Sequence, residues 1–333
     1  MSQELVLIFA LFGLAYGVVL QRTNFCFAHA AFELFYLRSR EAVNGVLVGL
    51  LITTLGFGLV ATARLHAGLS ATDHLLSPPL GIGTLLGSIV FGFGMTIAGM
   101  CAVGTLLRIG EGYLVGWAVL VGILVGAATY PFQALTSRAP SVSLTQWITP
   151  PVGSAITFLA ILLVWALARA GRGRQTATTP ARASLPMRLR ALPPAVIGGI
   201  LLGLLNTAQM AVAAPWTAGY PLAMIPSLFS SSPEVSKVAI VPPLALNVGL
   251  VLGVLLSGAL QKNLRFSYPR RKADLYLPLL GGLLMGWGIR AAHGCNLGGF
   301  FSAIPSLAVS GWVYLLGLLI GAWFGTKVIA ALR

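Results

Sequence analysis

The chain returns repeatedly to apolar runs of about 18 residues or more, each long enough to cross the hydrocarbon core of a bilayer. Lipid cannot satisfy bare backbone N–H and C=O groups, so such segments must be helices or the strands of a closed barrel. The runs are continuous rather than alternating, which selects helices. Composition agrees: charged residues make up 8% of the 333 positions and mean hydropathy is +0.90, whereas a soluble chain needs roughly a quarter of its residues charged. The sequence therefore reads as an all-α polytopic membrane protein. Nine transmembrane helices are expected at about 4–21, 41–63, 79–100, 112–131, 150–168, 193–211, 240–261, 275–292 and 308–330. The first is expected to be a retained helix, because a signal peptide needs a positive leading region and this one carries only Glu4.

Net charge is +14, from 21 Lys and Arg against 7 Asp and Glu. In a membrane protein such an excess belongs to loops held in the cytoplasm before it suggests nucleic acid, and no nucleic-acid partner is expected. Two loops carry most of it. "RAGRGRQTATTPARASLPMRLR" holds six arginines, and "KNLRFSYPRRKAD" holds five basic residues and one acid. Two spans separate them, so both can face the same side. That places the N-terminus outside and the C-terminus in the cytoplasm, with 16 basic residues on inside loops and 3 on outside ones. No CxxC, HExxH or Walker-type run occurs, so no cofactor, nucleotide or metal site is expected.

Two glycine-rich interruptions resemble each other, "GMTIAGMCAVGTLLRIG" around Cys101 and "GIRAAHGCNLGGFFSAI" around Cys295. At an offset of 194 residues Gly92, Gly94 and Gly104 fall on Gly286, Gly288 and Gly298; with one inserted residue Gly116, Trp117, Gly122 and Gly126 fall on Gly311, Trp312, Gly317 and Gly321. Further back, the glycines before Cys26 match Gly199 and Gly203, and Asn44 and Asn247 hold similar places. The chain then divides into a first repeat with an extra fifth span (1–168), a basic cytoplasmic linker (169–192) and a second repeat (193–333). An odd number of crossings before the second copy inverts it, giving two pseudo-symmetric halves. Inverted repeats build transport pathways, whose substrate sites lie near the midplane where glycine-interrupted segments meet. The interruptions are expected to be short re-entrant helices, since irregular backbone at that depth survives only where it is buried or lines a cavity.

The three cysteines, Cys26, Cys101 and Cys295, all lie at such breaks, and an odd number far apart makes no disulfide framework. Each taken alone is an apolar filler; repeated at three breaks, they mark a pathway. Arg22, Arg108 and Arg290 lie within seven residues of Cys26, Cys101 and Cys295 respectively. Arginine inside a membrane is costly and usually functional, although Arg22 and Arg108 are near enough to an interface to snorkel. Asn24, His293 and Asn296 are further candidate donors to an anion. Oxygen-rich anions prefer Arg, Ser and backbone N–H partners, while a thiol is a weak donor and weak acceptor that suits soft sulfur better than hard oxygen. In apolar surroundings it stays neutral and does not repel an anion. The chemistry points to a sulfur-bearing inorganic anion.

In "NFCF" at Cys26, "AGMCAVG" at Cys101 and "HGCNLGG" at Cys295 the sequence resembles the YeeE/YedE family of sulfur-transport membrane proteins, over nearly the whole chain. The resemblance implies an hourglass-shaped protein of nine spanning and four short buried helices. It implies a constriction lined by Cys26, Cys101 and Cys295 that relays thiosulfate by S–H hydrogen bonds, without lasting covalent capture. It further implies residence in the bacterial inner membrane and a cytoplasmic TusA-like sulfurtransferase as partner. Other branches of the family are associated with selenium or other sulfur species. Beside uptake of thiosulfate stand two rivals: transport of another sulfur or selenium oxyanion, and a membrane sulfurtransferase that forms a cysteine persulfide. A scaffold for a cytoplasmic partner, read through the basic loop, is a third.

Overall fold

The computed structural model describes residues 3–37, 40–70, 75–131, 140–170, 192–228, 237–262, 267, 269 and 273–332. Among these residues the chain is helical throughout and contains no strand, only isolated bridges such as Pro79 with Ser141. The long helices are α1 (Gln3–Thr23), α3 (Glu41–His66), α4 (Ile82–Ala98), α6 (Leu114–Ala128), α7 (Pro150–Ala170), α8 (Pro194–Val212), α10 (Lys237–Leu260), α11 (Ala273–Ala292) and α12 (Val309–Leu332). Short helices lie between them: α2 (Phe27–Phe32), α5 (Ala102–Gly110), α9 (Gly219–Met224) and a π-helical turn, Asn296–Phe301. Among the described residues seven helical stretches are long and apolar enough to cross a membrane, while Leu114–Ala128 and Pro150–Ala166 are apolar but shorter. Most of the basic 169–192 linker lies outside the described residues.

The distribution of side chains is that of a protein solvated by lipid. Leu7, Leu59, Ile82, Leu159 and Leu260 are exposed, whereas Thr53, Thr54, Ser88 and Asn206 are fully buried. A buried hydroxyl must find an acceptor, and the helices provide it locally: Thr53 and Thr54 donate to the carbonyls of Gly49 and Leu50, each at 2.8 Å, and Thr96 donates to Gly92 at 2.7 Å. Between helices, Ser257 Oγ on α10 and Nε2 of Gln261, just past its end, both donate to Gln21 Oε1 on α1, at 2.8 and 2.7 Å.

Glycine sets the helix contacts. Where two helices meet in lipid there is no hydrophobic gain from water to drive them together, so close backbone approach and dispersion must hold them. A side chain at Gly13 or Gly17 of α1 would collide with the α10 carbonyls of Leu246 and Leu250, and one at Gly249 or Gly253 of α10 with the α1 carbonyls of Ala10 and Leu14. Gly45 and Gly49 of α3 meet Ala195 and Gly199 of α8, while Gly199 and Gly203 meet Gly45 and Gly49 in return. Gly122 and Gly126 of α6 abut the α11 carbonyls of Leu279 and Leu283; Gly317 and Gly321 of α12 abut the α4 carbonyls of Leu85 and Ile89. Helix α7 stands apart, resting on α3 through Ser154 against Gly58 and through Trp165 Nε1, which donates to Asn44 Oδ1 at 3.1 Å.

Asn247, paired with Asn44 by sequence, faces the protein interior instead, donating from Nδ2 to the Ala218 carbonyl at 3.0 Å. The two asparagines therefore serve different contacts.

Replacing Gly126 by Leu is expected to push α6 off α11 and to destabilise the fold by about 1–3 kcal/mol or more. The check is the thermal unfolding midpoint of detergent-purified protein, with Leu at the lipid-facing position Val125 as the control, expected to unfold like the native chain.

Candidate functional site

Each cysteine occupies the same local position. Helix α1 ends at Thr23, and Asn24 follows with φ 49; α4 ends at Ala98, and Gly99 follows with φ 71; α11 ends at Ala292, and His293 follows with φ 53. These left-handed residues cap the helices and turn the chain. Two residues after each comes a cysteine in extended conformation: Cys26, Cys101 and Cys295 are the N-cap residues of α2, α5 and the π-helical turn. Glycine takes the left-handed conformation without cost, and Asn is the commonest substitute. Three thiols are thus delivered by three copies of one turn.

The turns converge. Gly104, on the first turn of α5, lies beside both Cys26 and Cys101: a Cβ built there would stand 3.6 and 3.8 Å from their sulfurs. Gly104 thus brings the two sulfurs to one place. Gly104 N–H donates to Cys101 Sγ at 3.4 Å, and Gly219 N–H, at the start of α9, donates to Cys295 Sγ at 3.2 Å. A Cβ on that same Gly219 would lie 3.2 Å from Ala102 Cβ, the residue after Cys101, so the segments of Cys295 and Cys101 meet across a glycine. The ring of Phe27, immediately after Cys26, packs edge-on to Phe300 and Phe301 of the π-helical turn at 5.6 and 5.5 Å. Cys101 and Cys295 are buried, Cys26 is partly exposed, and all three are free thiols.

A fourth break, 213–218 between α8 and α9, completes the cluster without a cysteine. Polar side chains inside apolar helices hold its backbone. Trp216 N–H donates to Asn206 Oδ1 at 2.9 Å, Asn206 Nδ2 to Ser302 Oγ at 3.1 Å, and Ser302 Oγ to the Trp216 carbonyl at 2.9 Å. Gln209 Nε2 donates to the Ala214 carbonyl at 2.8 Å. Trp216 is stacked on Tyr16 with ring centroids 3.8 Å apart. Asn206 and Gln209 are legible in the sequence as amide side chains within an apolar run, but nothing in their spacing ties them to the cysteines.

Several buried polar atoms here have no hydrogen-bond partner among the described residues: Tyr16 Oη, Gln209 Oε1, Trp216 Nε1, Asn247 Oδ1, Asn296 Oδ1 and Tyr314 Oη. A buried polar group without a partner carries its full desolvation cost. Tyr16, Trp216 and Tyr314 belong to the same buried cluster as Cys101 and Cys295, so the interior around the thiols is polar as well as apolar.

The supporting residues expected from sequence are dispersed. Arg22 and Asn24 are exposed. Arg108 points outward into a 2.9 Å ion pair with Glu111 and covers the Tyr113 ring. Arg290 is partly buried, its Nη1 3.1 Å from Met224 Sδ. The His293 ring stacks on Tyr220 at 5.9 Å. Asn296 is buried directly after Cys295, its Nδ2 3.1 Å from Met95 Sδ.

Residues 22–324 match the sequence profile of a family described as sulphur transport. The chain belongs to that family. Proteins named thiosulfate transporter TsuA are similar to it along almost their whole length: that of Spirochaeta thermophila is 25% identical, covering 94% of this chain and 96% of its own, and that of Escherichia coli is 26% identical, covering 93% and 91%. A probable transporter, YedE of Escherichia coli, is 31% identical over 80 residues, which is 24% of this chain and 20% of its own. The resemblance carried by the three cysteine segments thus holds, and the relatives are named as transporters, not as enzymes.

The left-handed turns separate two roles for Asn24. If its side chain supports an anion, Asn24→Gly loses transport; if the backbone conformation is what matters, Gly retains it and Asn24→Val is destabilised by about 1–2 kcal/mol. The second outcome is expected, read by uptake of labelled substrate and by the unfolding midpoint.

Proposed function

We propose that this protein carries thiosulfate inward across the bacterial inner membrane through a narrow passage lined by Cys26, Cys101 and Cys295. One observation carries the reading: three free thiols, far apart in sequence, are each presented at the N-cap of a buried short helix, and their turns meet at Gly104 and Gly219. Membership in a sulphur transport family and full-length similarity to proteins named as thiosulfate transporters favour this substrate over other sulfur or selenium oxyanions.

The chemistry follows from the donors. Cys101 and Cys295 each accept an amide N–H at sulfur, which leaves their S–H groups to donate elsewhere. A neutral S–H offers a weak hydrogen bond to the polarizable terminal sulfur of thiosulfate. Three weak contacts in succession let the anion bind without being trapped, and no bond to sulfur is made or broken. Arg290 and the partly exposed face of Cys26 add charge and access at the margins, and Arg22, His293 and Asn296 support the anion's approach, while Asn24 serves through its left-handed backbone. Removal of thiosulfate in the cytoplasm by a TusA-like sulfurtransferase supplies the direction.

The proposed architecture is nine crossings in two inverted halves, 1–168 and 193–333, joined by the 169–192 linker. The reciprocity of the glycine contacts supports it. Gly122 on Leu279 and Gly317 on Leu85 are the same contact with the halves exchanged at the sequence offset; so are Gly126 on Leu283 and Gly321 on Ile89, and Gly92 on Leu318 and Gly286 on Ile123. The two shorter apolar helices complete the nine. Loop charge orients the N-terminus outside and the C-terminus in the cytoplasm.

In a host without its own importers and with thiosulfate as sole sulfur source, the native chain is expected to restore growth. Cys101→Ala and Cys295→Ala are expected to abolish uptake of labelled thiosulfate, and Cys26→Ala to lower it severely, at unchanged expression. Mass spectrometry after thiosulfate exposure is expected to find all three thiols unmodified; a persulfide that turns over would make the protein a sulfurtransferase instead.

A further inference from the structure

Thiosulfate has two chemically different ends, and the thiols answer only one. Its terminal sulfur is soft, but the three oxygens at the other end are hard acceptors that leave water on entering a buried passage. Unless protein donors replace that water, each stripped oxygen costs free energy on the scale of an unmade hydrogen bond. Thiols are too weak for this.

Among the donors here that lack a partner in the described residues, one stands against the turn that carries Cys295. Tyr314, on the first turns of α12, is fully buried, and its hydroxyl has no hydrogen-bond partner among the described residues. Its ring lies flat against the helix that Cys295 caps: a Cβ on Gly299 would stand 2.7 Å from Tyr314 Cζ, the atom that bears the hydroxyl, and Gly299 N–H is itself bonded to the Cys295 carbonyl. On its far side the ring meets Phe91 at 6.3 Å, so apolar contacts fix its position and leave the O–H as its only polar feature. In the same π-helical turn as Gly299, Asn296 has its Oδ1 buried without a partner among the described residues, directly after Cys295; a half-turn of that amide would present Nδ2 there instead.

Resting on the thiosulfate reading, we infer that Tyr314 is a specificity-determining residue of the passage: its phenolic O–H donates to a sulfonate-type oxygen of the anion while Cys101 and Cys295 face the terminal sulfur. The site then reads both ends of one ion. Sulfate, with four oxygens and no soft sulfur, fits the tyrosine and not the thiols; hydrosulfide fits the thiols and not the tyrosine. Only an anion with both ends satisfies the set.

The test is equilibrium binding of labelled thiosulfate to the full chain purified in detergent, comparing native protein, Tyr314→Phe and Cys295→Ala. Tyr314→Phe keeps the ring and its packing. It is expected to weaken thiosulfate binding about tenfold or more, the scale of one hydrogen bond to an ion, while the unfolding midpoint without ligand is unchanged or higher, because an unpartnered buried hydroxyl has been removed. Excess hydrosulfide is expected to compete equally well against both forms. Tyr314→Phe that binds thiosulfate like the native chain overturns the assignment alone. Native protein that binds no thiosulfate overturns the substrate reading and this assignment with it. A measurement independent of the variant is the ultraviolet resonance Raman spectrum of the native chain. Thiosulfate is expected to shift tyrosine bands toward those of a strong hydrogen-bond donor, and unchanged bands would count against the inference.

Discussion

Close contact between helix backbones is the constraint from which the rest of this structure follows. In lipid the helices gain nothing by hiding leucine from one another, so they associate where side chains are absent and carbonyls can be approached. The contacts of α1 with α10, α3 with α8, α6 with α11 and α4 with α12 all have that character. Tight seams on the outside of the bundle fix where its interior can be open. The polar residues that would be unfavourable against lipid, among them Asn206, Ser302 and Asn247, collect in that interior.

Inside, the difficulty is reversed. Three long helices stop within the protein, and each stop exposes carbonyls at its end and amides at the next beginning. A left-handed residue closes the first helix, and a cysteine opens the next. Cysteine is an unusual N-cap, because sulfur accepts hydrogen bonds more weakly than the oxygens of Ser or Asp. Used at all three stops, it places a soft, weakly hydrogen-bonding group where Ser or Asp would place an oxygen. At the fourth stop, 213–218, no thiol is present, and a network from Asn206, Gln209 and Ser302 steadies the backbone in its place.

Helix class, the positions of the long helices and the cysteine-bearing breaks were legible because apolar length and glycine clustering are strong, additive signals. The left-handed turns were half legible. Gly99 announces one, but Asn24 and His293 do not, since a residue's name does not reveal the sign of its φ. Arg108 was misleading for a related reason: proximity in sequence to Cys101 does not prevent its side chain from turning outward to Glu111. Tyr314 could not be found at all. It lies in an ordinary apolar stretch, and only the folded chain brings it, from a helix beginning at Val309, against the segment that carries Cys295.

The glycine seams also have a mechanical meaning. Backbones in direct contact have no intervening side chains to act as bearings, so one helix cannot slide along another without lifting off it first. The paired long helices therefore behave as a stiff frame. The short segments that carry Cys26, Cys101 and Cys295 lie between these paired helices, so a change of shape that leaves the frame intact has to fall on them.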